Sequence, residues 1–192
     1  MAYIKDGQYC SDDYYKEEAK EKDCCTEAKH PKPKKILLEC GCHPEDAIFD
    51  VDYCRAKREQ AFVLDRVIVD TTCLCRPLVK IEFSSLIVFE AEGKDRCEQE
   101  IEVELLFVLE RICNGYKEIV QTWKYENEIE VKAEKLELEI SEPFTVTFCD
   151  KTCPGCCEYK MIVIGKDFEG DFKELKVIKP DLSALAQGIC GD

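Results

Sequence analysis

The amino-acid sequence predicts an all-β fold: a jelly-roll-like antiparallel β-sandwich of about eight strands with an extended N-terminal arm. From Lys34 onward, short β-branched runs recur between turn signals, and apolar residues favour a period of two. Residues 1–33 are instead charged, poor in branched aliphatic residues and end in Pro31 and Pro33, so this segment has little to bury. We therefore divide the chain into a connector arm, residues 1–33, and a β-sandwich domain with a short C-terminal tail, residues 34–192.

The clearest predicted strand is "IEVELLFVLERIC" at residues 101–113. Apolar side chains at every odd position from Ile101 to Leu109 share one face, whereas three glutamates lie on the other. This alternation is typical of an antiparallel strand with one face in the core and one in solvent. Similar runs predict the other strands. They occupy residues 34–40, 65–75, 78–92, 117–126, 144–150, 158–165 and 174–180.

Turn signals separate these runs at Gly93, Asn114-Gly115 and Pro154-Gly155. Residues 128–140 fit either two strands with a break near Glu134 or one helix with an apolar stripe. We expect strands there, because the neighbouring segments are strands. The tail from Asp181 is predicted to form no more than one helical turn.

Charge restricts the partners that this chain can have. The 192 residues carry a net charge of -14, with 35% of residues charged, so a nucleic-acid backbone or an anionic membrane surface would repel the protein. The first residues lack the basic and apolar regions of a signal peptide, and no stretch has the roughly 18 apolar residues of a membrane helix. We expect neither nucleic acid nor membrane as a partner.

The cysteine content conflicts with the missing signal peptide. The chain has 15 cysteines, and an odd number leaves at least one without an intrachain partner. Thiols normally stay reduced in the cytosol, so synthesis in the cytoplasm followed by exposure to air would satisfy both observations. The positions to explain are Cys10, Cys24 and Cys25 on the arm, the pairs Cys40/Cys42 and Cys73/Cys75, the cluster Cys149, Cys153, Cys156 and Cys157, and Cys190 near the C-terminus.

The segment "CDKTCPGCC" at Cys149–Cys157 allows three kinds of chemistry. Its four cysteines could form a thiolate shell for zinc, although their spacing is not that of a zinc ribbon. Cys153-Pro-Gly-Cys156 has the C-x-x-C form of thiol oxidoreductases, but predicted strands flank it and the helix that would stabilise a thiolate is missing. The third interpretation is a tight turn pinned by a local disulfide.

Nothing else in the sequence indicates an enzyme. His30 and His43 are the only histidines, and neither belongs to a pattern that suggests a catalytic triad. No glycine-rich phosphate loop occurs, and the carboxylates alternate with apolar residues as on a solvated sheet face. We expect no catalytic residue, no cofactor and no small-molecule substrate.

Three blocks carry a resemblance to a known family: "PKPKKILLECG" at Pro31–Gly41, "VDTTCLCRPLVKIEFSS" at Val69–Ser85 and "FTVTFCDKTCPGCCEY" at Phe144–Tyr159. Together they resemble a cysteine-rich family of unknown function from clostridial, spore-forming bacteria. The layout, a cysteine-bearing arm followed by an all-β domain, is similar to endospore appendage fibre subunits. Those subunits are jelly rolls that stack by β-sheet augmentation, and the arm of each forms disulfides with subunits further along the fibre.

The resemblance implies a self-assembling structural subunit, a homopolymer that lies outside the cell on the spore surface. The arm cysteines Cys10, Cys24 and Cys25 would then form intermolecular disulfides. The candidate acceptors, some of them instead intrachain partners, are Cys40, Cys42, Cys73, Cys75, Cys149, Cys153, Cys156, Cys157 and Cys190. The resemblance assigns no role to Cys54, Cys97 or Cys113.

Two alternatives stay open from the sequence. The first is a cytosolic cysteine-rich redox or metal-binding protein, with zinc or iron held by Cys149, Cys153, Cys156 and Cys157. It predicts a monomer or small oligomer with stoichiometric metal. The second is a spore-coat component that cross-links without forming fibres, which the sequence does not distinguish from a fibre subunit.

Overall fold

The computed structural model describes residues 36–51, 59–93, 99–131 and 136–189, and these are all-β without a helix. The predicted arm, Cys54, Cys97 and Cys190 lie outside the described residues. Within the described ranges, no helix is long and apolar enough to span a membrane. The strands are β1 (Ile36–Cys40), β2 (Ala47–Ile48), β3 (Gln60–Asp70), β4 (Cys75–Gly93), β5 (Gln99–Cys113), β6 (Tyr116–Val131), β7 (Leu136–Lys151), β8 (Cys156–Glu169) and β9 (Phe172–Ile189).

The strands form two antiparallel sheets. The first sheet has the order β1-β9-β4-β7, with β2 also paired to β9, and the second has the order β3-β8-β5-β6. The pairs are nested along the chain: β1 with β9, β3 with β8, β4 with β7, and β5 with β6. A long antiparallel ribbon, folded back at β5–β6 and wrapped around the core, gives this pairing, which is the jelly roll. The predicted fold class is confirmed.

The core lies between the sheets and follows the predicted alternation. In β5, the odd-numbered side chains from Ile101 to Leu109 are buried against the facing sheet. Aromatic rings join the two layers: Phe107 of the second sheet stacks on Phe144 of the first, with ring centroids 3.9 Å apart. Burying such large apolar surfaces stabilises the sandwich, since each fully buried aliphatic or aromatic side chain contributes about 1.5–3 kcal/mol.

The turn at the middle of the ribbon explains its register. Asn114 and Gly115 have φ angles of 52° and 81°, and the residues on either side, Cys113 and Tyr116, are opposed in the β5–β6 pair. A two-residue hairpin turn with both central residues at positive φ matches the right-handed strand twist, and Asn-Gly is its preferred sequence. The predicted turn signal is therefore where β5 and β6 meet.

Two predicted element boundaries are wrong. The tail from Asp181 is not a helical turn, because β9 continues to Ile189 with Leu182, Ala184 and Ala186 buried and with β1 and β4 on its two sides. The run at residues 65–75 is not one strand either: β3 ends at Asp70, and a loop precedes β4. Residues 128–131 and 136–140 lie in strands, as expected.

A segment that crosses between the sheets closes one side of the sandwich. After β1, Cys42 N–H donates to the Arg66 carbonyl of β3 at 3.0 Å, and Phe49 N–H donates to the Leu175 carbonyl of β9 at 2.9 Å. Residues 41–49 therefore span from one sheet to the other. This crossing covers part of the free edge of β3.

The carboxylate of Asp65 anchors this crossing. Asp65 sits at a β-bulge in β3 and is 1% exposed. Its oxygens accept backbone N–H groups from His43 at 3.2 Å, Arg66 at 2.7 Å and Leu182 at 3.1 Å. A buried carboxylate is tolerated when it is hydrogen-bonded in this way. The contact joins the crossing segment, β3 and β9.

We predict that Gly41→Ala destabilises the domain by about 3 kcal/mol. A Cβ at Gly41 would overlap the carboxylate of Asp65, so either the crossing segment or the carboxylate must move. Gly155→Ala is the matched control, because its Cβ would find no atom closer than 3.9 Å. Chemical denaturation of both variants measures the difference, and equal stabilities would contradict this account of the anchor.

Candidate functional site

One end of the sandwich collects most of the described cysteines, and we call it the cysteine end. Here β5 and β7 end and β4 and β8 begin. Cys113 of β5 lies opposite Cys157 of β8. The two form a disulfide with a Cα–Cα distance of 4.4 Å, and each is 2% exposed. This gives Cys113 a role that the sequence did not assign: it fastens two neighbouring strands of the second sheet.

The four cysteines of "CDKTCPGCC" are in different states. Cys149 on β7 and Cys156 at the start of β8 are exposed thiols, whereas Cys153 and Cys157 are disulfide-bonded. The C-x-x-C pair is therefore not closed on itself, since Cys156 is reduced. Cys157 instead bonds to a residue 44 positions away. Cys153 and Cys156 are therefore not bonded to each other.

Hydrogen bonds hold the turn between β7 and β8. Thr71 N–H and Thr71 Oγ1 both donate to the Gly155 carbonyl, at 2.8 and 2.9 Å, and Gly155 N–H lies 3.1 Å from Thr71 Oγ1. Thr152 N–H donates to the Pro77 carbonyl at 3.4 Å. The turn is thus fixed to the loop between β3 and β4. A strand follows it, so Cys153 has no helix N-terminus of the kind that activates oxidoreductase thiols.

A buried charged cluster joins the two sheets beneath this turn. Arg111 of β5 donates from Nη1 to Asp150 Oδ2 of β7 at 2.5 Å, and Tyr159 Oη of β8 donates to the same oxygen at 2.9 Å. Arg111 Nη2 lies 3.1 Å from Glu118 Oε2. Arg111 and Asp150 are each 7% exposed. The cluster therefore fixes the cysteine end of the first sheet to that of the second.

The ionisation of this cluster follows from its surroundings. Burial raises the pKa of the Tyr159 phenol, and the charge of Asp150 and its hydrogen bond raise it further. Burial disfavours the charged form of Arg111, but the carboxylates of Asp150 and Glu118 outweigh that effect and raise the pKa of the guanidinium. The cluster is thus a neutral phenol beside a buried ion pair.

The metal alternative can be compared with these positions. Cys153 and Cys157, two of its four proposed ligands, are in disulfides. The part of the chain that the structure describes holds no group of three or more histidine, cysteine, aspartate or glutamate side chains arranged to bind a metal ion. His43 is exposed and contacts Cys42.

The outer face of the first sheet carries two other exposed thiols, one on each of its outermost strands. Across this face, one row of opposed residues runs from Leu38 through Leu185 and Lys80 to Cys149, and Cys40 lies two residues beyond Leu38 on the same face of β1. Both cysteines are exposed and reduced. We call this surface the thiol face, with Ile36, Leu38, Cys40, Leu78, Cys149 and Leu185 as its members.

Four members of the thiol face are exposed apolar side chains, and Lys80 lies between Leu185 and Cys149. Ile36 is 57% exposed, Leu38 66%, Leu78 41% and Leu185 39%. Contiguous exposed apolar residues often mark an interaction site. Ile36 is also the first described residue, at the start of β1. The chain that carries the arm cysteines therefore joins the domain at the edge of this patch.

The other predicted site residues lie apart from the thiol face. Cys42 follows β1 on the crossing segment, Cys73 is exposed in the loop before β4, and Cys75 begins β4. Cys156 is an exposed thiol at the start of β8, in the second sheet. The arm cysteines Cys10, Cys24 and Cys25, and also Cys190, lie outside the described residues. Cys40 and Cys149 thus share the outer face of the first sheet.

The side opposite the crossing segment has long edge strands. β6 and β7 each have 16 residues and are the outermost strands of their sheets. Their inward side chains are only half-buried, including Trp123 on β6 and Phe148 on β7, which pack edge to face. Trp123 is thus an aromatic residue of an edge strand. An edge strand presents unpaired backbone groups that can pair with another chain.

A tyrosine and a carboxylate bridge these two edges. Tyr125 Oη of β6 donates to Glu142 Oε2 of β7 at 2.8 Å, and Asn127 Nδ2 donates to Glu142 Oε1 at 3.4 Å. Burial and the hydrogen bond to Glu142 raise the pKa of Tyr125 to about 12. The phenol is therefore stabilised in its protonated form in the folded protein.

Fold and site together define a class of protein: a cysteine-rich jelly-roll domain with a buried disulfide and exposed surface thiols. Residues 34–187 match the model of the family described as Domain of unknown function (DUF4489), and the chain belongs to that family. The match covers the β-domain and leaves out the predicted arm. A comparison with curated proteins finds no match.

Two solved structures of infectious bursal disease virus, from the Gx and Gt strains, are similar to the chain at 11% and 8% identity. The matches cover 83% and 82% of this chain, with TM-scores of 0.33 and 0.19. This chain spans only 34% and 42% of the viral chains. A likeness this weak supports no conclusion about function.

We predict that Asp150→Ala destabilises the domain by about 3–5 kcal/mol. It leaves the Tyr159 hydroxyl without its acceptor and the buried Arg111 guanidinium with Glu118 alone. Lys151→Ala, one residue away and exposed, is the control and should change stability by less than about 0.5 kcal/mol. Urea unfolding of both variants makes the comparison. A small effect at Asp150 would mean that the cluster is not what joins the sheets.

The raised pKa of Tyr125 predicts a pH dependence. An unfolded tyrosine ionises near pH 10, whereas the pKa of Tyr125 in the folded protein is about 12. The stability that the protonated Tyr125 adds to the folded state is therefore complete below pH 10 and is lost as pH rises to about 12. Tyr125→Phe should therefore lose stability less steeply than the wild type between pH 10 and 12. Tyr116→Phe, at an exposed position on the same strand, should keep the wild-type slope, and an unchanged slope in Tyr125→Phe would refute the assignment.

Proposed function

We propose that this protein is a structural subunit of a disulfide-cross-linked extracellular fibre or appendage, on the surface of endospores. One observation carries the proposal. The thiol face combines two exposed, reduced cysteines with exposed apolar side chains, and the arm joins the domain at its edge. Such a face suits covalent attachment to another copy of the chain better than it suits catalysis or metal binding.

The arm supplies the other half of each cross-link. Residues 1–33 contain Cys10, Cys24 and Cys25, and a segment of this length could span on the order of 100 Å if fully extended. The arm of one copy is thus long enough to reach the thiol face of another. We propose Cys40 and Cys149 as its acceptors, because they are exposed and reduced. Cys157 is not an acceptor, because its partner is Cys113 of the same chain.

The edge strands support assembly by β-augmentation. β6 and β7 form one side of the sandwich, while β1, β2 and β3 form the other, where residues 41–49 cross between the sheets. The two sides therefore differ, so an edge on one side pairs most simply with an edge on the opposite side of the next copy. Such heterologous contacts build a filament when they do not close into a ring.

Covalent bonds have a clear physical use in such a filament. Each copy carries a net charge of -14, so neighbouring copies repel one another. A disulfide keeps copies joined despite this repulsion, because separating them then requires breaking a covalent bond. On this proposal the thiols remain reduced during synthesis in the cytoplasm and oxidise when the spore is released.

Electrophoresis under non-reducing and reducing conditions tests the proposal, with metal analysis of the same sample. We expect oxidised full-length protein to give a ladder that collapses to 22.1 kDa on reduction, and electron microscopy to show fibres. A variant lacking residues 1–30 should give folded monomers. Cys40→Ser with Cys149→Ser should also lose the ladder, whereas Cys156→Ser, an exposed thiol in the other sheet, should keep it.

Three results would overturn the proposal in different ways. A ladder that survives deletion of residues 1–30 would remove the arm from the cross-link. A monomer that contains stoichiometric zinc or iron would favour the metal-binding alternative. Cross-linked material without filaments would favour a non-fibrous coat component. Such a component would form the same disulfides as a fibre subunit but would not stack into a filament.

A further inference from the structure

A cysteine and a histidine form a side-chain pair on the crossing segment. Cys42 Sγ lies 3.1 Å from His43 Nδ1 and 3.5 Å from the Arg66 carbonyl oxygen. Both side chains are exposed, and Cys42 is reduced. The pair lies on the crossing segment and is distinct from the thiol face. Neither the fold nor the proposed cross-links require a histidine at this position.

The backbone around the pair is held from both sheets. Gly41 N–H donates to the Leu182 carbonyl of β9 at 2.6 Å, and Cys42 N–H donates to the Arg66 carbonyl of β3 at 3.0 Å. His43 N–H donates to the buried carboxylate of Asp65 at 3.2 Å. Three consecutive backbone groups are therefore fixed. The thiol and the imidazole are placed against each other by the rigid part of the domain.

We propose that Cys42 is a reactive thiol that His43 activates for thiol–disulfide exchange. The thiolate is the nucleophile in this reaction, and an adjacent imidazole favours its formation. His43 takes the proton from the Cys42 thiol, and the thiolate attacks one sulfur of a disulfide. A Cys42–sulfur bond forms, the original disulfide bond breaks, and the leaving thiolate takes a proton from the imidazolium or from water. Cys42 is oxidised to a mixed disulfide while the leaving sulfur is reduced to a thiol, so the number of disulfide bonds is unchanged and no further oxidant is needed.

The charges around the pair make this activation significant. A thiolate is disfavoured on a chain with a net charge of -14. From β3, the pair faces the Asp65 carboxylate, which is occupied by backbone donors, and Arg66, whose guanidinium lies 4.0 Å from Glu158. On the crossing segment itself, Glu45 and Asp46 add negative charge, and Asp46 accepts the Lys179 N–H of β9. His43 Nδ1, 3.1 Å from the Cys42 sulfur, is therefore placed to stabilise the thiolate when it carries the proton.

Cys40 is an internal comparison for Cys42. It lies two residues away, at the end of β1, and is likewise exposed and reduced. Within the described ranges no imidazole contacts it. The two thiols therefore share exposure and local chain, and they differ in the histidine contact. This inference does not depend on fibre formation, because it concerns exchange with any disulfide that can reach the exposed Cys42 thiol.

The test measures the two thiols in one peptide of the full-length, reduced protein. The reduced protein is briefly exposed to oxidised glutathione between pH 6 and 8, quenched with acid, digested with trypsin and analysed by mass spectrometry. Cys40 and Cys42 are then read together, because both lie in peptide Ile36–Arg55, which also contains Cys54. Fragment ions separate them. We expect Cys42 to react about tenfold faster than Cys40, because an adjacent imidazole favours the thiolate.

His43→Gln should reduce the Cys42 rate to that of Cys40, while His30→Gln, at the other histidine, should leave it unchanged. Thermal unfolding of both variants checks that they are folded. Repeating the reaction with the disulfide dimer of a Tyr9–Tyr15 peptide, which contains Cys10, distinguishes the source of the disulfide. If Cys42 reacts faster with oxidised glutathione, the disulfide that it attacks is that of a small molecule. If it reacts faster with the peptide dimer, that disulfide belongs to another protein chain.

Equal rates for Cys40 and Cys42 with both disulfides would overturn the inference, as would a His43→Gln variant in which Cys42 keeps its advantage. Either result would leave the fibre proposal standing, since the ladder depends on Cys40, Cys149 and the arm. A protein that gives no ladder but has a fast-reacting Cys42 would refute the fibre proposal and leave this inference standing. The two proposals therefore fail separately.

Discussion

The carboxylate of Asp65 is the interaction on which the closed side of the sandwich depends. It receives backbone N–H groups from the crossing segment, from its own strand and from β9. These donors come from both sheets, so one buried charge fixes the separation of the layers along that side. The short strand β1 precedes the crossing segment, and β2 lies near the end of that segment. Their place beside β9 follows from this contact as much as from their own pairing.

The opposite side has no comparable anchor in the described residues. There the long edges of β6 and β7 meet through half-buried aromatic rings and the Tyr125–Glu142 hydrogen bond. The sandwich is therefore covered on one side and open on the other. Two like sides would pair into a closed dimer, whereas the open side of one copy against the outermost strand β1 of the next would give a directional contact. The thiol face reaches the open side, because its member Cys149 lies on β7.

Most of the fold could be predicted because the strands obey a period of two over long runs. The main charged cluster follows the same alternation. Arg111 continues the buried odd positions of β5, and Asp150 continues the half-buried even positions of β7 after Phe144, Val146 and Phe148. A charged residue on an apolar parity indicates a buried partner of opposite charge. The sequence could have suggested both residues, but not that β5 and β7 would face each other.

Other features were beyond a single sequence. The predicted helical turn after Asp181 was wrong because Leu182, Ala184 and Ala186 are a short alternation whose meaning depends on two neighbouring strands. The Cys113–Cys157 bond depends on the register of β5 with β8, and register between distant strands is not visible in composition or spacing. The Cys42–His43 contact likewise depends on a crossing segment held by Asp65.

The division of the cysteines links folding to assembly. The disulfide at Cys113–Cys157 lies inside a domain whose core already joins both sheets, so the apolar packing does not require oxidation to define the fold. The exposed thiols Cys40, Cys42 and Cys149 have no such structural task in the described contacts of the domain. A domain that folds on apolar packing can keep surface thiols reduced until an oxidising environment is reached. Cross-linking would then follow folding, and copies would be joined only after their thiol faces are formed.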